Sequence, residues 1–414
     1  MSSYVDATSG AVDHCQLMAQ QQPDLAADYY KIASSCKEKL WHQLTLTILD
    51  LVSKPTTTLR STPEGTNSYL ALYDKVVLSI DTKLNPLSLA RIASYVAASL
   101  TAKTSDEKDT TAAKAVLENL LANKKDTLGT PATIFVQSKL SLLSLNADDK
   151  TKLDQIKTIV KSNGELLKEM IDARDTSESA IVHSAHYEMA MTYYKVVGPP
   201  ESFYDQAMSF LNYAPLLETT DDAKTAYYHQ LAVDLCLAAL TGEGVYNLGQ
   251  VVSTPVLAML ANTPESWLVD MLKACAKGQV VEFNTLTTQY ADAIAKQPAL
   301  VHRATAVKEK LTLLALVNLV FEKHSSERTL GFQEVADRLH IDILQVEWVI
   351  MRALSLQLIE GSMDQVDQTV SVTWVLPRVL DTTELQALAG RFGEWAVKVS
   401  KTKDYMQEQT PTFA

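Results

Sequence analysis

Apolar residues recur at every third or fourth position in the stretches Leu40–Leu51, Leu87–Leu100, Ala113–Leu121, Ile134–Leu145, Leu153–Ile171, Ala180–Val197 and Ala223–Leu240. That spacing puts them on one face of a helix and predicts an amphipathic helix at each. Polar or glycine- and proline-containing breakers separate them, at 53–68, 104–111, 198–202 and 241–244. The stretch HYEMAMTYYKVVGPPESFYDQAMSFLNYAP shows one unit. Tyr187, Met191 and Tyr194 share a helix face, Gly198-Pro199-Pro200 stops that helix, and Phe203, Ala207, Phe210 and Leu211 mark the next. Helix, short turn, helix, repeated with few strand signals, predicts antiparallel neighbours stacked in series. No strict repeat of fixed period is visible, so a solenoid rests on this architecture, with a single compact bundle as the alternative.

The last third changes character. A helix over Ala306–Lys323 leads to a short strand near Arg328–Leu330, then a helix over Phe332–Leu339 and a turn at His340-Ile341-Asp342. Asp342, with Gln345 three residues on, has the form of a capping box opening a helix that runs to about Leu356. Two strands follow, Leu358–Met363 and Thr369–Val375, and alternation puts Val370, Val372 and Trp374 on one face of the second. Three helices and a small sheet in this order predict a winged helix.

A DNA-reading winged helix needs polar and basic groups on its second helix. Here that helix reads ILQVEWVIMRALSL. Ile343, Val346 and Ile350 form one apolar face and Leu344, Trp348 and Met351 another, a pattern that predicts burial on two sides. Residues 325–375 hold three basic and eight acidic side chains. The shape therefore predicts protein contacts, with a nucleic-acid regulator as the remote alternative. From about Asp381 a last helix opens in which Leu385, Leu388, Phe392, Trp395 and Val399 step by three and four, and Met406 continues the seam. A heptad stripe with two large aromatics suits helices of other chains, the alternative being that it packs on its own domain.

Composition agrees with a helical chain. Thirteen glycines in 414 residues are few, and 47% of the residues are apolar. The net charge of −12 opposes general binding to phosphate backbones or anionic lipid surfaces. Cys15, Cys36, Cys236 and Cys275 are too sparse for a disulfide framework and read as reduced thiols of a cytosolic or nuclear protein. The first residues, MSSYVDATSGAVDHC, lack the basic and apolar regions of a signal peptide.

GEGVYNLGQVVSTPVL at 242–257, NTPESWLVDML at 262–272, the run from Glu334 to Asp381 and FGEWAVKV at 392–399 resemble a known family. In particular L-x-x-G-S-x-D-x-V-D followed by V-x-x-T-W-V-x-P-R-V-L-D, over Leu358–Asp381, is similar to the PCI-domain subunits of the proteasome regulatory-particle lid. Sister PCI subunits of the signalosome and of a translation initiation factor are the alternative within that class. The resemblance implies a mainly α fold: a right-handed helical-repeat, TPR-like solenoid, then a winged-helix PCI module and a C-terminal helix. It implies an N-terminal arm at 1–225, a PCI domain at 226–376 with its winged helix at 324–376, and an assembly helix and tail at 377–414. It also implies a non-catalytic scaffold in cytoplasm and nucleus, without cofactor, nucleic acid or membrane. Its partners would be other PCI and MPN subunits, with a ubiquitin receptor nearby. The residues implied in contacts are Leu358, Ile359, Ser362, Val372 and Trp374 on the sheet, and Leu385, Leu388, Phe392, Trp395, Val399 and Met406 on the last helix.

Enzyme chemistry finds little footing. His183 and His186 stand three apart on a helix, but no third metal ligand accompanies them, so they read as surface or capping histidines. GEGVYNLG matches neither phosphate-loop pattern, and positive-φ turns at Gly242 and Gly244 account for its glycines. No nucleophile elbow occurs. Lys114 and Lys124-Lys125, beside the acidic SDEKD, read as a solvated helix face.

Overall fold

The computed structural model describes residues 2–21, 23–53, 70–101, 107–145, 149–172, 177–214, 222–261, 263–323, 328–379 and 382–409. Residues 54–68 of the breaker at 53–68 and residues 104–106 of the breaker at 104–111 lie outside the described residues, as do the side chains of Lys124 and Lys125. The chain forms two compact units, Met1–Asp222 and Ala223–Ala414.

The first unit is helical throughout its described length: α1 (Ser2–Gln21), α2 (Ala26–Lys37), α3 (Trp41–Ser53), α4 (Pro86–Thr101), α5 (Glu107–Ser144), α6 (Lys150–Asp172), α7 (Ser177–Val197) and α8 (Pro200–Tyr213). Each of α1 to α4 packs on its successor, α5 and α6 both pack on α7, and α7 packs on α8. Contacts that run from neighbour to neighbour are the pattern of a helical-repeat stack. Leu44, Ile48, Ile92, Leu117 and Ile134 are fully buried in one continuous core. A smaller cluster joins Leu153, Ile156 and Val160 of α6 to Met189 and Tyr193 of α7. Lys139 of α5 pairs with Glu188 of α7 at 2.6 Å.

One expectation is corrected here. Ala113–Leu121 and Ile134–Leu145 belong to a single 38-residue helix, α5, although Pro131 lies inside it. Gly129 takes φ +70° two residues earlier, and the Thr133 hydroxyl donates to the Gly129 carbonyl at 2.8 Å. A proline removes one N–H and bends a helix without having to end it, and the glycine absorbs the change locally. At Gly198-Pro199 the break is complete. A Cβ on Gly198 would collide with Tyr194, and Pro200 occupies the first turn of α8, where a missing N–H costs nothing.

His183 and His186 are core residues, not surface ones, being 1% and 2% exposed. The His183 ring stacks on Tyr213 at 4.6 Å, and Tyr213 stacks on Tyr187 at 5.7 Å, tying α7 to α8. His186 lies against Gly164 of α6. Neither Nδ1 has a hydrogen-bond partner among the described residues, nor does Nδ2 of the buried Asn163. Burial, with the neighbouring His183 second, pushes His186 down to about 4, and burial lowers His183 as well.

The second unit begins with α9 (Asp222–Thr241), followed by α10 (Leu248–Val252), α11 (Ser266–Ala276), α12 (Val280–Gln289), α13 (Ala291–Ala295), α14 (Pro298–His302) and α15 (Ala304–Glu322). Helix α15 is the spine. Its Lys310 is 5% exposed and donates to the Ala239 and Gly242 carbonyls, at 2.8 and 2.6 Å. Those groups lie at the C-terminal end of α9, where carbonyls lack partners within the helix and the dipole favours a cation. Arg303 adds a bond to the Thr241 carbonyl. Gly244 takes the expected positive φ, +77°, but Gly242 does not, and serves instead through its carbonyl. Gly278, at φ +62°, lets α15 approach so closely that a Cβ there would stand 2.6 Å from the Ala315 Cα.

The winged helix follows from α15: β1 (Thr329–Gly331), α16 (Phe332–Leu339), α17 (Ile343–Ser355), β2 (Ile359–Asp364) and β3 (Thr369–Val375). The sheet order is β1-β3-β2, antiparallel throughout. His340 closes α16 in the left-handed conformation, and the Asp342 carboxylate accepts from the Leu344 N–H to open α17. A final helix, α18, spans Thr382–Gln409.

Two outcomes follow. Gly244→Ala meets no side chain and costs about 1 kcal/mol in backbone strain, whereas Gly278→Ala adds a collision and costs upwards of about 3 kcal/mol. Urea unfolding of both variants measures the difference, and equal costs would show that α15 can give way. For His186, the unfolded chain takes up a proton near pH 6.5 and the folded chain only near 4. Its contribution is whole above pH 6.5 and is lost as the pH falls toward 4, by about 2 kcal/mol at pH 5. His186→Phe therefore flattens the fall in first-unit stability between pH 7.5 and 5, and an unchanged slope would refute the assignment.

Candidate interaction surfaces

The sheet does not alternate as the sequence predicts. Between β2 and β3 the register slips, with Glu360 opposite Trp374 but Gly361 opposite Val372. Thr373 is the extra residue of this bulge, and its hydroxyl donates to the Glu360 carbonyl at 3.1 Å. Gly361 permits it, because a Cβ there would collide with the Ser371 carbonyl. Beyond the bulge the faces exchange. Val370, Val372 and Val375 point into the core, while Trp374 turns outward and is 39% exposed. Trp374 thus does not share the face of Val370 and Val372.

The bulge also sorts the sheet residues expected in contacts. Leu358, Ile359 and Val372 are buried in the unit's own core, so their side chains are already spent, which corrects that expectation. Ser362 and Trp374 are exposed. Among the described residues the free side of β2 is one edge of the sheet, since β3 occupies its other side, and β1 forms the opposite edge.

Helix α17 is buried on one side, not two. Val346, Val349, Ile350 and Ala353 enter the core. Leu344, Trp348 and Met351, at i, i+4 and i+7, are 83%, 53% and 47% exposed on the opposite side. Hydrophobicity on both faces shows that a helix has two apolar surroundings to satisfy, and this chain supplies one of them. Glu347 beside the stripe accepts from Gln365 of the β2–β3 turn, and Arg352 pairs with Glu309 of α15.

Helix α18 carries the longest exposed apolar stripe among the described residues. Every described side chain from Leu388 to Met406 is exposed. Along the seam, Leu385 is 51%, Phe392 61% and Trp395 64% exposed, with Leu388, Val399 and Met406 also open. Its 28 residues make a rod of about 42 Å. The linker before it is anchored. Arg378 donates to the Asn318 Oδ1 of α15 and lies over the Phe321 ring at 4.6 Å, and Gly249 of α10 sits against Val379. The motifs around NLGQ and LPRV therefore meet in space, which their separation in sequence hides.

The chemistry elsewhere is that of a core. All four cysteines are buried, and burial pushes the Cys15, Cys236 and Cys275 thiols up to about 12, far from a reactive thiolate. Among the described residues no group of three or more His, Cys, Asp or Glu is placed to hold a metal ion. No described helix is long and apolar enough to cross a membrane.

Comparison with known proteins gives these surfaces a family. Residues 28–272 match the PSD13 N-terminal repeats, and residues 287–374 match the PCI domain. The chain is 29% identical to 26S proteasome non-ATPase regulatory subunit 13 homolog B of Arabidopsis thaliana, over 97% of this chain and 98% of the other. It is 29% identical to 26S proteasome non-ATPase regulatory subunit 13 of Dictyostelium discoideum, over 98% of each. It is 28% identical to 26S proteasome regulatory subunit RPN9 of Saccharomyces cerevisiae, over 94% of this chain and 95% of that protein. With its repeat match covering more than half of the chain and a PCI match over the winged helix, this chain belongs to the PSD13 family, that of 26S proteasome non-ATPase regulatory subunit 13.

Proposed function

We propose that the chain is a structural, non-catalytic subunit of the 26S proteasome regulatory-particle lid, in cytoplasm and nucleus, and that it supports lid assembly and ubiquitin-dependent protein degradation. The observation that carries this reading is the exposed stripe of α18, in a chain similar over nearly its full length to proteasome regulatory subunits. The seam residues Leu385, Leu388, Phe392, Trp395 and Val399 are exposed among the described residues, and burial in a helix bundle would release about 1.5–3 kcal/mol for each large apolar side chain. The β2 edge, with Ser362 and Trp374, offers backbone pairing to a neighbouring PCI subunit. MPN subunits and a ubiquitin receptor complete the proposed surroundings. A sister complex is disfavoured by similarity to named proteasome subunits along the whole chain.

Native affinity purification of the tagged chain from its own cells tests this. A megadalton assembly with ATPases and other lid subunits is expected, and a chain recovered alone would overturn the reading. The combined Phe392→Asp and Trp395→Asp variant should lower incorporation into that assembly at least tenfold. The same variant should change the melting temperature of the free chain by less than about 2 °C, as for other exposed substitutions. Normal incorporation would remove α18 as the assembly element.

A further inference from the structure

The second unit holds a cleft of about 800 Å³ that the assembly reading does not use. Its walls come from α10, the end of α11, α15, α16 and the linker after β3. Four cations line it, Lys273, Lys277, Arg338 and Arg378, against one carboxylate, Glu322, which Arg338 contacts at 2.9 Å. This excess stands within a chain whose acidic residues outnumber its basic ones by 49 to 37. The cations come from two helix ends, those of α11 and α16, and from the linker after β3, so the tertiary fold, not a run in the sequence, gathers them.

Two features set the cleft apart from a solvated basic surface. Arg378 is positioned in advance by its bond to Asn318 and its stacking on Phe321, and Asn318 in turn donates to the Ala276 carbonyl at 3.1 Å. Asn247, also on the wall, buries its side-chain oxygen with no donor among the described residues. The cleft thus offers positive charge to an anion and one buried acceptor to a hydrogen-bond donor. Compact multiple charge favours phosphate, for which arginine and lysine are the usual partners, and the volume suits a small molecule. We propose that this cleft binds a small, multiply phosphorylated molecule that also carries hydroxyl or amino donors, a polyol phosphate or a nucleotide. The linker Pro377–Val379 forms part of the wall. An occupant would therefore stiffen the segment that leads into α18.

Isothermal titration of the full chain at 150 mM salt, with inositol hexakisphosphate, ATP, inorganic phosphate and a hexaglutamate peptide as separate probes, tests the proposal. One-to-one binding of inositol hexakisphosphate or ATP at micromolar concentration is expected, and the tighter of the two identifies the source as polyol phosphate or nucleotide. The combined Lys273→Glu and Lys277→Glu variant, altering exposed side chains, should weaken binding at least tenfold while melting as the wild type does. Absence of heat with both probes at millimolar concentration would overturn the proposal. So would binding that the variant leaves unchanged, or tighter binding of hexaglutamate, which would make the cleft a site for acidic peptide.

Discussion

The second unit is organised around a buried ammonium. Lys310 leaves water to lie between the Ala239 and Gly242 carbonyls at the end of α9, with the Tyr246 ring 6.0 Å away. A lone charge in that place would cost several kcal/mol, but here it answers carbonyls that would otherwise be unpaired and the negative end of a helix dipole. The interaction sets where α15 lies. From α15 the rest follows: Gly278 admits it against the turn after α11, Asn318 reaches Ala276 on one side and Arg378 on the other, and its last turns share a core with the winged helix.

Because α15 and Arg378 fix both ends of the winged helix, the apolar surface left over is surface of a well-held body. The Leu344–Trp348–Met351 stripe is backed by a core containing Val346 and Ile350, and α18 begins beyond an anchored linker. Large apolar side chains on well-formed helices, with nothing in their own unit to cover them, are a cost to a chain alone and a source of binding energy in an assembly. The proposed function, exercised through contacts, draws on this surface.

Much of the fold was legible in the sequence because it depends on local signals. Helical spacing located most helices, Gly198-Pro199-Pro200 located a break, and Asp342 marked the start of α17. The misses have physical reasons. Ala113–Leu121 and Ile134–Leu145 read as two helices, because the sequence does not show that Gly129 can absorb the change of direction at Pro131 within one. Alternation put Trp374 on the face of Val370 and Val372, because a one-residue bulge is set by the lack of space at Gly361, which appears only once the strands pair. Two apolar faces on α17 implied burial twice over, but periodicity reports what a helix can bury and not which chain supplies the cover. His183 and His186 read as surface groups because two polar residues on an apolar face look the same whether they meet water or stacked tyrosines. The basic cleft was invisible, since Asn247, Lys273, Arg338 and Arg378 are far apart in the chain.

The central claim is that the apolar seam of α18 is covered by other chains. Hydroxyl-radical footprinting of the free chain and of the chain within its native assembly tests this directly, read by mass spectrometry at Phe392, Trp395 and Met406. The account predicts strong oxidation of all three in the free chain and protection of at least tenfold in the assembly, with Val397 on the opposite face much less affected. Equal oxidation in the two states would contradict it.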